Sequence, residues 1–236
     1  AAHHAHASRL LALAQWIGEH TGATVGYLTE AANTVGAQYA GAVPVNGGHN
    51  AGQMLAGSLK AAILLNTEPA FDSAGGDAAC QALANTDMVV TLSPFKANMA
   101  FSDVLLPIAP FTETSGSFVN AEGRLQSFHA VVRPLGETRP AWKVLRVLAN
   151  LLNVPGFDFE TSQDVLARAT NTPAGGIAEV SSVQLSNAQA LLPQAASPAT
   201  GEPAVASIYQ LDGIVRRATS LQLTADARRT QEGAAA

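Results

Sequence analysis

Near the start of the chain, Leu10, Leu11, Leu13, Ala14 and Ile17 recur at helical spacing and share one face, until Thr21-Gly22 breaks the pattern. A strand is predicted from Thr24 to Leu28. After the turn-forming run Asn46-Gly47-Gly48-His49-Asn50, a short helix is expected from Gln53 to Ser58. Ala61-Ala62-Ile63-Leu64-Leu65 follows as a brief apolar run, closed by Asn66-Thr67-Glu68-Pro69. A run that short, bounded by turn residues, reads as a buried parallel strand and its loop. Ala78 to Ala84 has helical character, Met88 to Leu92 reads as the next buried strand, and Val104-Leu105-Leu106 as a third that ends at Pro107. Strand, helix, strand succession implies right-handed crossovers and an open, mostly parallel α/β sheet with flanking helices.

Beyond Pro107 the pattern becomes Gly- and Thr-rich from Phe111 to Arg133, with Ser127 to Val132 expected to be extended. A helix then follows, with Pro140 in its first turn and Trp142, Leu145, Val147, Leu148, Leu151 and Leu152 on its apolar face; Pro155 and Gly156 end it. A smaller helix is predicted from Ser162 to Ala169. Residues 171–206 are dominated by Ala, Ser, Pro, Gly and Gln and read as a linker, whereas residues 207–236 form a tail in which Ile208, Leu211, Ile214 and Val215 dock on the body. The α/β region is thus assigned to residues 1–170, with a Rossmann-like subregion at 58–107.

Composition narrows the function classes. With 47% hydrophobic residues the 236-residue chain has material for a sizeable core. Only 13% of residues are charged and the net charge is -5, which offers no field for a phosphate backbone, so no nucleic-acid partner is expected. Cys80 is the single cysteine, so this segment has neither an intrachain disulfide nor the thiolates of an iron–sulfur cluster. No apolar stretch approaches the roughly 20 residues of a spanning helix, and no direct membrane insertion is expected. His3, His4 and His6 at the start are read as an unstructured end rather than a metal site.

The segment richest in chemistry is Ser102-Asp103-Val104-Leu105-Leu106-Pro107 and the stretch from Phe111 to Gln126, which holds Glu113, Gly116, Asn120, Glu122, Gly123 and Arg124. A strand ending at Pro107 delivers its loop to the carboxyl edge of the sheet, where open α/β folds bind ligands. The two glycines permit sharp turns or close approach. The polar residues satisfy one another or main-chain groups, either around a ligand or simply to hold two layers together. This segment resembles the signature of molybdopterin oxidoreductases, in which an Asp-Val-x-Leu-Pro strand end precedes a Glu, a Gly, an Asn and then Glu-Gly-Arg. Ala61 to Pro69 is similar to the family's strand and loop that usually end in Asn-Pro. The resemblance implies the second and third domains of that fold, without the ferredoxin-like and iron–sulfur domains that precede them in some members. It also implies that the six residues named above are vestiges of a pterin loop.

Other stretches narrow the resemblance to the large iron–sulfur subunits of bacterial NADH-quinone oxidoreductase, respiratory complex I. They are Gly26 to Ala37, Leu64 to Pro69, Ser93-Pro94-Phe95-Lys96, Gly136 to Arg146 and Asp212 to Ala218. Glu68 stands where molybdoenzymes usually carry an asparagine, and a carboxylate facing a pyrophosphate is repelled by it. Asn98-Met99-Ala100 stands where they often have Thr-Glu-Thr. On this resemblance the segment is a scaffold with no cofactor or metal of its own and no catalytic residue. Its partners are the other peripheral-arm subunits, on the cytoplasmic side of the inner membrane, and the iron–sulfur clusters lie in the missing amino-terminal part of the full subunit. The alternative is a fragment of a formate dehydrogenase-like enzyme that binds the pterin; a third reading is a stand-alone binding module.

Remaining candidates have plainer readings. His49 sits in a flexible loop without a Walker lysine and is assigned to a turn. His20 and His129 are read as helix-end or surface residues, Asp72 and Asp77 as caps of the helix after Gly75-Gly76, and Cys80 as a small buried residue. Arg216-Arg217 is read as a solvated basic spot, with an acidic neighbour as the other option.

Overall fold

A computed structural model of the protein describes residues 7–29, 31–73, 75–173 and 207–234. These fall into two compact units. One takes the described residues of Ala1–Gly26, Glu68–Gln81 and Gln189–Ala236; the other takes those of Tyr27–Thr67 and Ala82–Ala188.

The second unit is built on a parallel three-stranded sheet of order β1-β2-β3, with β1 Ala61–Leu65, β2 Met88–Ser93 and β3 Val104–Pro107. Register runs from Ala61 opposite Met88 to Leu65 opposite Leu92, and from Val90 opposite Val104 to Ser93 opposite Pro107. The central strand supplies the core: Val89, Thr91 and Leu92 are fully buried and Ser93 nearly so. β1 departs from the expected buried strand, since its exposure alternates residue by residue and leaves Ile63 54% exposed. A strand paired on one side and covered on one face shows that period. In sequence, the connection from β1 to β2 holds α4 Pro69–Asp72 and α5 Gly76–Ala84.

Side chains from the connection into β3 hold the middle strand. The Asp103 carboxylate accepts from the Val89 amide at 2.7 Å while the Asp103 amide donates to the Val89 carbonyl at 2.9 Å. Buried Thr91 shares a 2.7 Å hydroxyl contact with Ser102. Buried polar groups on a central strand require such partners, which explains why Ser-Asp opens this strand.

An antiparallel hairpin follows, β4 Gly116–Val119 with β5 Leu125–Phe128. The expected extension to Val132 stops at Phe128 because the Val131 and Val132 amides turn to the Thr112 carbonyl instead. Helix α6, Ala141–Leu151, begins directly after Pro140, which serves as its cap residue. Helix α7, Ser162–Ala169, has a reciprocal cap in which Thr161 accepts from the Asp164 amide and Asp164 accepts from the Thr161 amide. Those donors, the Thr161 and Glu160 amides first and the Thr161 hydroxyl after them, hold the Asp164 carboxyl below its usual range.

Preceding the sheet in this unit are α2, Thr34–Tyr39, and α3, Ala51–Ala56, the latter two residues earlier than expected because Asn50 and Gln53 form a capping box. Asn33, just before α2, accepts from the Val119 amide at 2.9 Å and so pins α2 to β4. Gly36 makes room for it, because a Cβ there would sit 2.0 Å from the Asn33 Oδ1. Gly36→Ala is expected to cost about 1–3 kcal/mol through overpacking, measured as a lower denaturation midpoint. An unchanged midpoint would show that Asn33 has another place to go.

In the other unit, α1 spans Ala7–Thr21, and His20 stacks on Trp16 at 4.2 Å between ring centres, a helix-end histidine as expected. The segment Thr24 to Leu28 forms no strand, contrary to the sequence expectation; it lacks a ladder partner, and Leu28 is almost wholly exposed. The tail folds as α8 Gly213–Arg217, α9 Thr219–Gln222 and α10 Ala225–Ala234. Asp212 caps α8 by accepting from the Ile214 and Val215 amides. Asp72 closes α4 by accepting from the Glu68 amide, rather than capping the next helix. Partial burial, and Asp77 near it, push the Cys80 thiol above its ordinary range. Most of the linker read at 171–206, and His3, His4 and His6, lie outside the described residues. Among the described residues no helix is long and apolar enough to cross a membrane.

Candidate functional site

The carboxyl edge of the sheet is organised by asparagines. Asn66 leaves β1 with a positive φ of 49° and donates its amide to the Leu92 carbonyl at 2.8 Å. Asn98, also in the left-handed region at φ 59°, reaches the Thr67 carbonyl through its amide group at 2.9 Å. Asparagine tolerates that backbone conformation better than other residues with side chains. Thus the Asn98-Met99-Ala100 stretch ties the loop after β1 to the loop after β2, a role its sequence did not disclose.

The six signature residues are brought into one unit but not onto one surface. Glu113 closes a single 3-10 turn, Phe111–Glu113, and its carboxylate accepts from the Leu135 amide at 2.9 Å. Gly116 faces the Phe128 ring, which a Cβ would meet at 2.7 Å, so its smallness serves hairpin packing. Asn120 accepts from the amides of Glu122 at 3.1 Å and Arg124 at 2.9 Å, and Gly123 takes a φ of 81° to close the turn. Asn-Ala-Glu-Gly-Arg is therefore a hairpin turn with its own side-chain cap. The side chains of Glu122 and Arg124 make no ion pair among the described residues.

A cleft of about 470 Å³ opens where the segment after β5 meets α6, lined among others by Glu113, Ser115, Arg133, Arg139, Trp142 and Lys143. Of the six signature residues Glu113 alone lines it, and its carboxylate is already engaged. The other five signature residues lie outside that cleft, in the hairpin and its turn. No group of His, Cys, Asp and Glu among the described residues has metal-holding geometry.

Within the other unit Arg216 is not solvated, which corrects the expectation for it, and both Arg216 and Arg217 meet acidic side chains. Arg216, 7% exposed in its side chain, donates to Asp72 at 2.9 Å and stands 3.6 Å from Glu68. Arg217 forks onto both oxygens of Glu68 at 2.8 and 3.1 Å. The guanidinium of Arg216 also lies 4.7 Å over the Phe71 ring. The unusual Glu68 of the Asn-Thr-Glu-Pro loop therefore has its counter-charges within the same chain.

A family profile described as Molybdopterin oxidoreductase matches residues 1–151. The chain is 38% identical over 100 residues to a Staphylococcus aureus (strain bovine RF122 / ET3-1) protein named "Putative formate dehydrogenase", an overlap of 40% of this chain and 10% of that protein. It is 32% identical over 114 residues to "Probable oxidoreductase YjgC" of Bacillus subtilis (strain 168), 48% of this chain and 12% of the relative. The matches thus span about a tenth of each relative's length. These printed names concern formate dehydrogenases and an oxidoreductase, not specifically the complex I subunit. The profile match, covering 151 of 236 residues, and the parallel α/β sheet that carries the Asp-Val-Leu-Leu-Pro edge lead to one assignment: the chain belongs to the molybdopterin oxidoreductase family.

Proposed function

We propose that the chain is a structural segment of the large subunit of a molybdopterin-family oxidoreductase, supporting electron transfer without holding a redox centre itself. The observation that carries this is the pairing of Glu68 and Asp72 with Arg216 and Arg217. A loop whose acids are offset by the chain's own guanidiniums is electrostatically complete, and an added pyrophosphate would compete with those acids for the same cations. In its finer form the proposal is a large iron–sulfur subunit of a bacterial NADH:quinone oxidoreductase. It would be held against the other peripheral-arm subunits at the cytoplasmic face of the inner membrane, with the clusters carried elsewhere in the subunit.

A second reading has its own support. The relatives named as formate dehydrogenases favour a pterin-binding, formate-oxidising enzyme over the complex I reading. The two readings separate in the native enzyme purified with its partners. Quinone reduction driven by NADH, with molybdenum and tungsten absent by mass spectrometry, is the result expected of the scaffold. Stoichiometric metal, a fluorescent pterin on oxidation and formate-driven reduction would establish the second reading instead.

A further inference from the structure

The cleft at the start of α6 reverses the charge of the molecule locally. The chain carries a net charge of -5, yet Arg133, Arg139 and Lys143 line this one cleft against the single acid Glu113, and that acid already accepts from the Leu135 amide. Among the described residues neither Arg133 nor Lys143 forms an ion pair, and Arg139 has only a 3.9 Å approach to the exposed Glu137. Beside these cations the chain exposes apolar side chains: Val131 is 82% and Leu135 77% exposed, on either side of Arg133 in sequence. Trp142 adds a half-buried indole to the cleft wall.

We propose that this face docks an acidic, apolar-bearing segment of a partner protein. Its carboxylates would pair with Arg133, Arg139 and Lys143, and its aliphatic side chains would cover Val131, Leu135 and the Trp142 ring. Arg133 and Lys143, without an ion pair among the described residues, stand with exposed aliphatics next to Arg133 in sequence and with Trp142, whose ring the Lys143 ammonium approaches at 5.3 Å. That combination matches the anatomy of an interface, in which Trp and Arg anchor and charges set register. A small anion would engage the cations but leave the aliphatic side chains in water. An extended segment with both acidic and apolar residues satisfies both halves of the surface. The inference deepens the structural reading and rests on it only for the existence of a partner.

The test is fluorescence anisotropy of a labelled synthetic peptide of glutamates and leucines, titrated with the whole 236-residue chain. Saturable binding is expected, weakened at least about tenfold by R133E combined with K143E, which is about 1.4 kcal/mol. L135S is expected to weaken it as well. All three positions are exposed, so unchanged circular dichroism should accompany the loss. The proposal is overturned by three results: no saturable binding, binding indifferent to the charge reversals, or displacement by inorganic pyrophosphate as readily as by unlabelled peptide. The last would mean a small-anion site. Molybdenum in the native enzyme would overturn the structural reading while leaving this titration unchanged, so the two failures can be told apart.

Discussion

Arg216→Ala is expected to lower the stability of the unit that carries α8 to α10 by about 2–4 kcal/mol, the largest single-residue electrostatic effect expected among the described residues. The guanidinium is nearly buried and donates to Asp72 and to the Gln210 carbonyl, both at 2.9 Å. Removing it leaves Asp72 without that cation and Glu68 with Arg217 alone. Breaking a buried pair by deleting one partner costs about 3–5 kcal/mol. The lower range fits here because Glu68 and Asp72 keep some access to water. The Nε of Arg216 is itself buried without a partner, a cost the native cluster already carries. Arg216→Lys should recover little, since an ammonium cannot fork between two acids while lying flat on Phe71. Arg217→Ala, at a more exposed pair, should cost about 1 kcal/mol or less. Denaturant unfolding and amide exchange at residues 207–234 read these effects. A loss under about 0.5 kcal/mol for Arg216→Ala would mean that the cluster stabilises nothing.

What could be read from the sequence follows from what local pattern encodes. Helix α7 was placed residue for residue, and α6 within about a residue, because caps, proline and an apolar stripe act within a turn or two. The three strands were found from short apolar runs ended by turn residues. Which face of β1 lies open was not readable, because Ile63 and Leu65 are equally apolar whether covered or not. Strand pairing at Thr24 to Leu28 failed for the same reason: a ladder needs a second strand, which no local pattern guarantees. Helix α10 was missed because its polar stretch Ala225–Ala234 has helix-forming residues but no apolar stripe.

The candidate site was legible as a motif and illegible as a mechanism. Sequence reasoning picked out Gly116, Asn120 and Gly123, but their partners, the Phe128 ring and the hairpin amides, lie within the hairpin itself. Asn33, Asn98 and Arg216 carry long-range contacts from 31 to 144 residues away, and no spacing rule reaches that far. The hints available beforehand were Glu68, a carboxylate where an asparagine is usual, and Arg216-Arg217, for which an acidic neighbour was the option set second.

The second large effect is expected at the centre of the sheet. Leu92→Ala should destabilise the unit that holds β1 to β3 by about 2–5 kcal/mol, because Leu92 is fully buried and its removal leaves a cavity that close-packed neighbours fill only partly. The backbone at that point bonds to both sides: the Leu92 carbonyl accepts from Asn66, and in register Leu92 faces Leu65 on one strand and Leu106 on the other. Relaxation around the cavity would therefore disturb the loop after β1 as well as the strand itself. Ile63→Ala, on the open face of β1, removes a larger group than a methyl yet should cost under about 1 kcal/mol, since half of that side chain already meets water. Urea unfolding of the two variants gives the comparison, with equal slopes showing that both unfold to the same state. Similar losses for the two would mean that the outer face of β1 is covered in the folded chain, and the one-sided sheet described here would have to be abandoned.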